Sequence, residues 1–477
     1  MTPANAVASQ CDSPIDRTRV LANWVVGRSY VDLSEADIER LEILLLDHLA
    51  CVLRGSYLPW SRALIDWART YDGSGEAVLI GTELRTSALI AGFVNATAAH
   101  GLEYDDTHDA SLSHPGAAVV ATGLAVGTEV GATGHQVLQA IAAGYEVTAR
   151  VGRATGPSVL ERGFHPTALF GGFGAATTAA MLRGLDATGL CNTWGLLLSM
   201  AGGSMQFSQD PRGTVVKRLH GGYAAQHGIL AAQLAARGLA GPAQALDGVY
   251  GVARLFGSED RQTDWLVPGR NDRLAINQIS LKPYPCCRLF HSTIDALREI
   301  LGELPCDSQK IASILVGGPR VLPLQHMMRR PTSAMAAQYS LPFCLGVVTI
   351  RGPYGEDSFE EDRLGDPQVL AVADLVECVP DEEMERAFPE HFGTWVEVKF
   401  TDGTAVRRDR LDSLGTPAYP MSRGDVLRKF RRLVDACPTE IDDHTIDVAV
   451  AALRHNGPVA RLTRHFSQKE FRAAMPS

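Results

Sequence analysis

The sequence is short of positive charge, of ordered cysteine spacing and of long apolar runs, and each shortage removes a class of function. Its 44 Lys and Arg stand against 54 Asp and Glu, a formal net charge of −10. The basic field that a phosphate backbone requires is therefore missing, and nucleic acid is not expected as a partner. An anionic small substrate would have to be met by a local cationic pocket rather than by the whole surface. The nine cysteines, Cys11, Cys51, Cys191, Cys286, Cys287, Cys306, Cys344, Cys378 and Cys437, lack the repeated CxxC spacing of a zinc site. Their odd number suits a reducing, cytoplasmic compartment. The adjacent pair Cys286–Cys287 reads as two small buried thiols rather than a redox device.

The first twenty residues carry no basic start followed by an apolar core, so no secretory signal is expected. Two stretches poor in charge, His165–Leu182 and Gly189–Gln209, are rich in Gly, Ser, Thr and Ala and lack the sustained Leu, Ile, Val and Phe of a spanning helix. They are expected as buried helices, and no membrane as a partner. No GxxxxGK[ST] loop and no HExxH pair occurs, so neither a nucleotide nor a metal has a readable site.

What is present is apolar content sufficient for burial: 45% hydrophobic and 21% charged residues over 477 positions. That length predicts more than one core. Ser34-x-x-Asp37 resembles a capping box, Leu33 can staple onto Ile38, and Ile38, Leu41, Leu45, Leu49 and Val52 recur at helical spacing up to Gly55. From 87 to 240 the chain runs through Ala- and Gly-rich segments such as SALIAGFVNATAAHG, PGAAVVATGLAVGTEVG and YAAQHGILAAQLAARG. Alanine favours helix, and small residues let helices approach closely enough to pack all round. Beyond Gln278 the pattern becomes mixed. Ile311–Val316 suits a strand, Arg351–Asp366 suits a surface loop, and Val396, Val398 and Phe400 alternate with Glu397 and Lys399 before a turn at Asp402–Gly403. Arg423–Ala452 returns to helical spacing. The expected fold class is mainly α, with a large all-helical domain over 1–275 and 415–477 and an inserted smaller α+β lid domain over 276–414.

Four segments place polar chemistry in apolar surroundings. In the first, His100, Glu103, Asp105, Asp106, Thr107, His108, Asp109 and His114 lie within about fifteen residues, expensive to bury unless paired or used. Asp105, Asp106 and Thr107 could cap a helix and tie a loop, or orient a histidine or a substrate. The second, Gly163-Phe-His165-Pro-Thr167, puts an imidazole just before a helix, where an anion is favoured. The third, Lys217-Arg218-Leu-His220-Gly221-Gly222, sets two cations beside a glycine pair expected to open a helix, a cradle for a carboxylate or phosphate, or else a solvated basic turn. In the fourth, Lys282-Pro-Tyr-Pro-Cys-Cys-Arg288, two prolines hold the chain extended and would aim Lys282 and Arg288 as an anion clamp at the domain junction.

Taken in order, DDTH…HPG, GFHPT, KRLHGGYAAQHG and KPYPCCRLFH resemble the MmgE/PrpD family, which includes 2-methylcitrate dehydratases, cis-aconitate decarboxylases and iminodisuccinate epimerases. The resemblance runs over essentially the whole chain. It implies a helical domain with a smaller lid, a homodimer, and an active site between domains that needs no cofactor and no metal. It places the catalytic set on Glu103, Thr107, His114, His165, Lys217 and Lys282, with Asp105, Asp106, His108 and Arg288 binding or orienting the substrate. Glu103 stands where an Asp is more usual, which carries its carboxylate about 1.5 Å further. The activity implied is a 2-methylcitrate-dehydratase-like lyase on a small di- or tricarboxylate, with decarboxylation, epimerisation or plain carboxylate binding as the alternatives.

Overall fold

Ser34 starts the first long helix as a cap. Its hydroxyl accepts from the Asp37 N–H at 3.2 Å while its own N–H donates to the Asp37 carboxylate at 3.0 Å, satisfying two end groups that the helix cannot pair internally. The helix α1 (Glu35–Ser56) then buries Ile38, Leu41, Leu45, Leu49 and Val52 on one face. The computed structural model describes residues 15–209, 214–259, 261–269, 272–302 and 308–467. Cys11 and Cys306 lie outside the described residues, as does most of the stretch read for a secretory signal.

The Ala- and Gly-rich segments form α2 (Ala88–Gly101), α3 (Pro115–Val130), α4 (Gly134–Thr155), α5 (Pro166–Leu182) and α6 (Val216–Ala235). Helices α2, α5 and α6 are nearly uniform in hydropathy around their circumference, and all three are buried on most sides. A small cluster made only of alanines, Ala96, Ala118, Ala121, Ala175, Ala224 and Ala225, marks where α2, α3, α5 and α6 meet. The approach is close because Cβ atoms are few. A methyl on Gly222 of α6 would lie 2.7 Å from the Phe93 carbonyl oxygen of α2.

A separate core runs from Tyr284 to Phe400. It is built from α7 (His291–Leu301), α8 (Leu341–Arg351) and a four-stranded sheet of β1 (Ile311–Gly318), β2 (Val376–Pro380), β3 (Thr394–Phe400) and β4 (Ala405–Arg410) in the order β2-β1-β3-β4. β1 and β2 are parallel, and such a pair needs a helical crossover, here α8 and the helix Pro367–Asp374. β3 and β4 form the expected hairpin, Val398 opposite Val406, with Val396 and Val398 turned into the core. The class is therefore mainly α with a small α+β part.

Three details depart from the sequence expectations. Ile276, Ile279 and Leu281 pack into the helical core with Leu41, Tyr104 and Phe430, so the change of core falls between Leu281 and Tyr284. Arg351–Asp366 is not a plain surface loop, because Phe359 and Leu364 are buried against the α+β core. The helical run after Arg423 splits into α9 (Arg423–Asp435) and Asp443–Ala451, since Pro438 between them has no N–H to continue a helix. Helix α9 packs on α1, returning the end of the chain to the helical body. Among the described residues no helix is long and apolar enough to cross a membrane.

Candidate active site

Two His-Pro pairs set the geometry. Proline is favoured at the first helical position, where its missing N–H costs no hydrogen bond. Pro115 and Pro166 occupy that position in α3 and α5, leaving His114 and His165 as the residues that precede each helix. The two helix starts are tied together: the His114 N–H donates to the Thr167 hydroxyl at 3.1 Å. Helix α2 ends nearby, with His100 in its last turn and Glu103 in the left-handed region at φ 57°. That conformation is uncommon for a residue with a Cβ and occurs at sites the surroundings over-determine.

Lys217 lies in the first turn of α6. The glycine pair Gly221–Gly222 does not open this helix, contrary to the expectation from sequence. It sits inside it, where small residues are needed because α2 passes close by, against the His100 side chain and the Phe93 carbonyl. The backbone cradle expected from the pair is thus absent, and Lys217 brings its charge alone. Lys282 is carried by an extended segment held at several points. Ser280 exchanges backbone hydrogen bonds with Thr107, the Leu281 N–H donates to Gly415 O at 2.9 Å, and the Tyr104 hydroxyl donates to Pro283 O at 2.6 Å.

These elements converge. The Glu103 carboxylate takes Lys217 Nζ on one oxygen, and on the other Lys282 Nζ at 3.4 Å and the Tyr339 hydroxyl at 3.1 Å. Lys282 also donates to the Glu103 carbonyl at 3.2 Å. Asp105 lies between two imidazoles, its Oδ2 2.8 Å from His100 Nδ1 and its Oδ1 3.2 Å from His114 Nδ1. The rings continue as a file, with centroids 4.9 Å apart for His114–His100, 5.9 Å for His100–His165 and 4.9 Å for His165–His220. His165 and His220 place their Nδ1 atoms 3.0 Å apart, and Phe207 stands edge-on to both.

Burial dominates the electrostatics. Glu103, Lys217 and Lys282 are almost without solvent contact. Burial and then the facing Lys282 ammonium hold Lys217 well below the ordinary lysine range, and burial lowers Lys282 also. Two desolvated ammoniums thus share one carboxylate. Burial pushes His100 down to about 3, and burial together with His220 and His100 holds His165 well below its usual value. For Asp105 burial opposes ionisation, yet the flanking imidazoles of His114 and His100 keep its carboxyl well below the ordinary range. The donor atoms of His100, Asp105 and His114 lie within 4.8 Å of one another; His100 Nδ1 is hydrogen-bonded to the carboxylate, while His114 Nδ1 lies 3.2 Å from it as an ion-pair contact.

The structure gathers Glu103, Asp105, His114, His165, Lys217 and Lys282, and leaves four other expected residues engaged elsewhere. The Thr107 hydroxyl donates to Asp109 at 2.7 Å. Arg288 is no free clamp, since it donates to the same Asp109 at 3.1 Å and to Ser413 at 3.0 Å. Asp106 orients neither a histidine nor an open pocket. Its oxygens are taken by the Gly116 N–H at 2.9 Å and the Tyr145 hydroxyl at 2.6 Å, so it anchors the start of α3. His108 faces the Ser111 hydroxyl at 2.8 Å. Cys286 and Cys287 are buried and unbridged, and burial raises the Cys287 thiol to about 11. Three participants stand outside the catalytic and binding set expected from sequence. His100 and His220 lie in the motifs and were readable as site neighbours three residues from Glu103 and Lys217, whereas Tyr339 lies in a stretch without charge that carried no signal.

Comparison with known proteins agrees in extent. The family model for the MmgE/PrpD N-terminal domain matches residues 19–264, and that for the MmgE/PrpD C-terminal domain matches residues 284–455. The cis-aconitate decarboxylase-like protein oryM of Aspergillus oryzae is 27% identical, over 93% of this chain and 96% of its own length. A cis-aconitate decarboxylase of Aspergillus terreus is 25% identical, over 89% of this chain and 90% of its own. The cis-aconitate decarboxylase of Homo sapiens is 27% identical, over 87% of each.

Proposed function

The chain belongs to the MmgE/PrpD family, and from that premise we propose a lyase that moves protons at a carbon beside a carboxylate of a small di- or tricarboxylic acid. One observation carries the reading: Lys217 and Lys282, far apart along the chain, share the single carboxylate of Glu103 beside a file of imidazoles. An under-compensated pair of buried ammoniums favours an incoming anion. Removing a proton next to a carboxylate adds negative charge to that group, and preorganised cations in a water-poor site stabilise it most where it develops.

Proton exchange falls to His114 and His165. Each stands at a helix start with its own orienting partner, Asp105 for His114 and His220 for His165. Two separately oriented imidazoles suit a reaction that needs both an acid and a base. That favours dehydration: one imidazole takes the proton from carbon, the C–O bond breaks, and the other protonates the departing hydroxyl as water. The smaller α+β core, which contributes Tyr339, serves as the lid. Decarboxylation is the second reading, favoured by the names of the relatives, and it needs only the cations and one acid. A homodimer in the cytoplasm belongs to the proposal on family resemblance alone.

Incubation with citrate, 2-methylcitrate, cis-aconitate and iminodisuccinate in deuterated water, read by mass spectrometry, tests this. Loss of water with deuterium entering recovered substrate is the expected result. Release of CO₂ selects the second reading, and exchange without loss selects epimerisation. Tight binding of an acid with no change in any of them would mean a carboxylate-binding protein and would end the proposal.

A further inference from the structure

We propose that His100 is a further substrate-contacting residue of this site, the acceptor that reads an O–H group on the polycarboxylate. The inference rests on the carboxylate reading above and adds the part of the substrate that the lysines cannot recognise.

The argument starts from Asp105. A carboxylate only accepts hydrogen bonds, so the His100 Nδ1 lying 2.8 Å from Asp105 Oδ2 must carry a hydrogen. With the ring neutral in its wholly buried position, the remaining nitrogen, Nε2, holds a lone pair. That atom has no hydrogen-bond partner among the described residues, although the side chain has no solvent contact. A buried acceptor left without a donor is rare in folded proteins and unfavourable. Its position gives the reason for its retention. The ring stands between the imidazoles of His114 and His165, 4.9 and 5.9 Å away between centroids, in the last turn before Glu103.

The ligand group that matches this atom follows from elementary chemistry. Ionised carboxylates offer only acceptors, and they belong with Lys217 and Lys282. A neutral imidazole lone pair needs a donor, and on a citrate-type acid at neutral pH that donor is the hydroxyl. His100 thus distinguishes a hydroxylated acid from the same acid without the hydroxyl, because the latter leaves Nε2 buried and unpaired in the complex as well. Asp105 serves as a positioning residue here, fixing the hydrogen on Nδ1 so that Nε2 stays an acceptor.

Calorimetric titration of the full chain with citrate and with propane-1,2,3-tricarboxylate, its counterpart with hydrogen in place of the hydroxyl, provides the test. Citrate is expected to bind about tenfold more tightly or better. His100→Phe is expected to bring the two acids to within about twofold of each other. Equal affinities in the unaltered protein overturn the inference and leave the carboxylate reading standing, whereas failure of both acids to bind overturns both. A second measurement does not depend on the variant folding. In ¹⁵N-histidine-labelled unaltered protein, the His100 Nε2 resonance should move on addition of citrate and stay in place with the deoxy acid; movement with neither, or equally with both, overturns the assignment.

Discussion

Replacing Lys217 by Met should damage activity while sparing stability, and the structure sets both sides of that contrast. Met keeps the length and apolar stem of the side chain and removes its charge. In the folded chain the Lys217 and Lys282 ammoniums face one oxygen each of Glu103, and Lys217 is held down by burial and by Lys282. Without Lys217, one ammonium remains with one carboxylate, still joined through the Glu103 carbonyl at 3.2 Å. A buried cation that was desolvated and repelled is gone, so unfolding free energy should change by less than about 1 kcal/mol. The developing negative charge of the reaction, however, loses one of its two cations. Loss of one such group typically lowers kcat by about 10²–10³, about 3–4 kcal/mol of transition-state stabilisation. Glu103→Gln does the opposite to the charges, leaving two ammoniums buried side by side with no carboxylate, and should destabilise by about 3–5 kcal/mol. Urea unfolding and steady-state kinetics on both variants decide the matter. If Lys217→Met keeps activity within about threefold, or unfolds as readily as Glu103→Gln, the cation role drawn for Lys217 is wrong.

Three other outcomes are expected. Lys429 donates to Asp47 at 2.7 Å and to the Tyr104 carbonyl at 2.6 Å with no solvent contact, so Lys429→Met should cost about 3–5 kcal/mol in urea unfolding, and Asp47→Asn added to it should restore most of the loss; a single-variant cost below about 1 kcal/mol would contradict this. His220 is among the groups that hold His165 low, after burial, so His220→Asn should let the His165 pKa rise toward its ordinary value. A base must be unprotonated to act, and the acid limb of kcat/KM should therefore move to higher pH; a limb that stays or moves lower removes His165 as the base. Activity should survive exhaustive chelation, because the Asp105 carboxylate already accepts from His100 Nδ1 at 2.8 Å. Loss of turnover that a divalent cation restores would show that an ion belongs there.

The elements were legible where local chemistry is strong. The Ser34–Asp37 cap, the alanine-rich helices, the Val396–Phe400 strand and its hairpin follow from propensity, periodicity and turn residues. Less legible were features whose cause is a neighbour. Gly221–Gly222 read as a helix start, since glycine ends helices more often than it fills them, but α2 lies against that face and demands the missing side chains. Thr107, Asp106, His108 and Arg288 carry the right chemistry in the right segments, but they are engaged by Asp109, by Gly116 and Tyr145, by Ser111, and by Asp109 and Ser413 respectively. Donor and acceptor inventory is written in the residue type; which partner claims it is not.

By itself the sequence determined the helical character of most of the chain, the start of α1, the two His-Pro pairs that put imidazoles at helix starts, and the segments in which charge is surrounded by apolar residues. These depend on interactions within a few positions, which composition and spacing encode directly. Only the tertiary structure decided that Glu103 spans Lys217 and Lys282, that Asp105 stands between two imidazoles, that His220 reaches His165, and that Tyr339 arrives from the smaller core. Those contacts join residues far apart along the chain, and their geometry follows from how closely the small-residue helices pack and from where the extended segment at Lys282 is pinned.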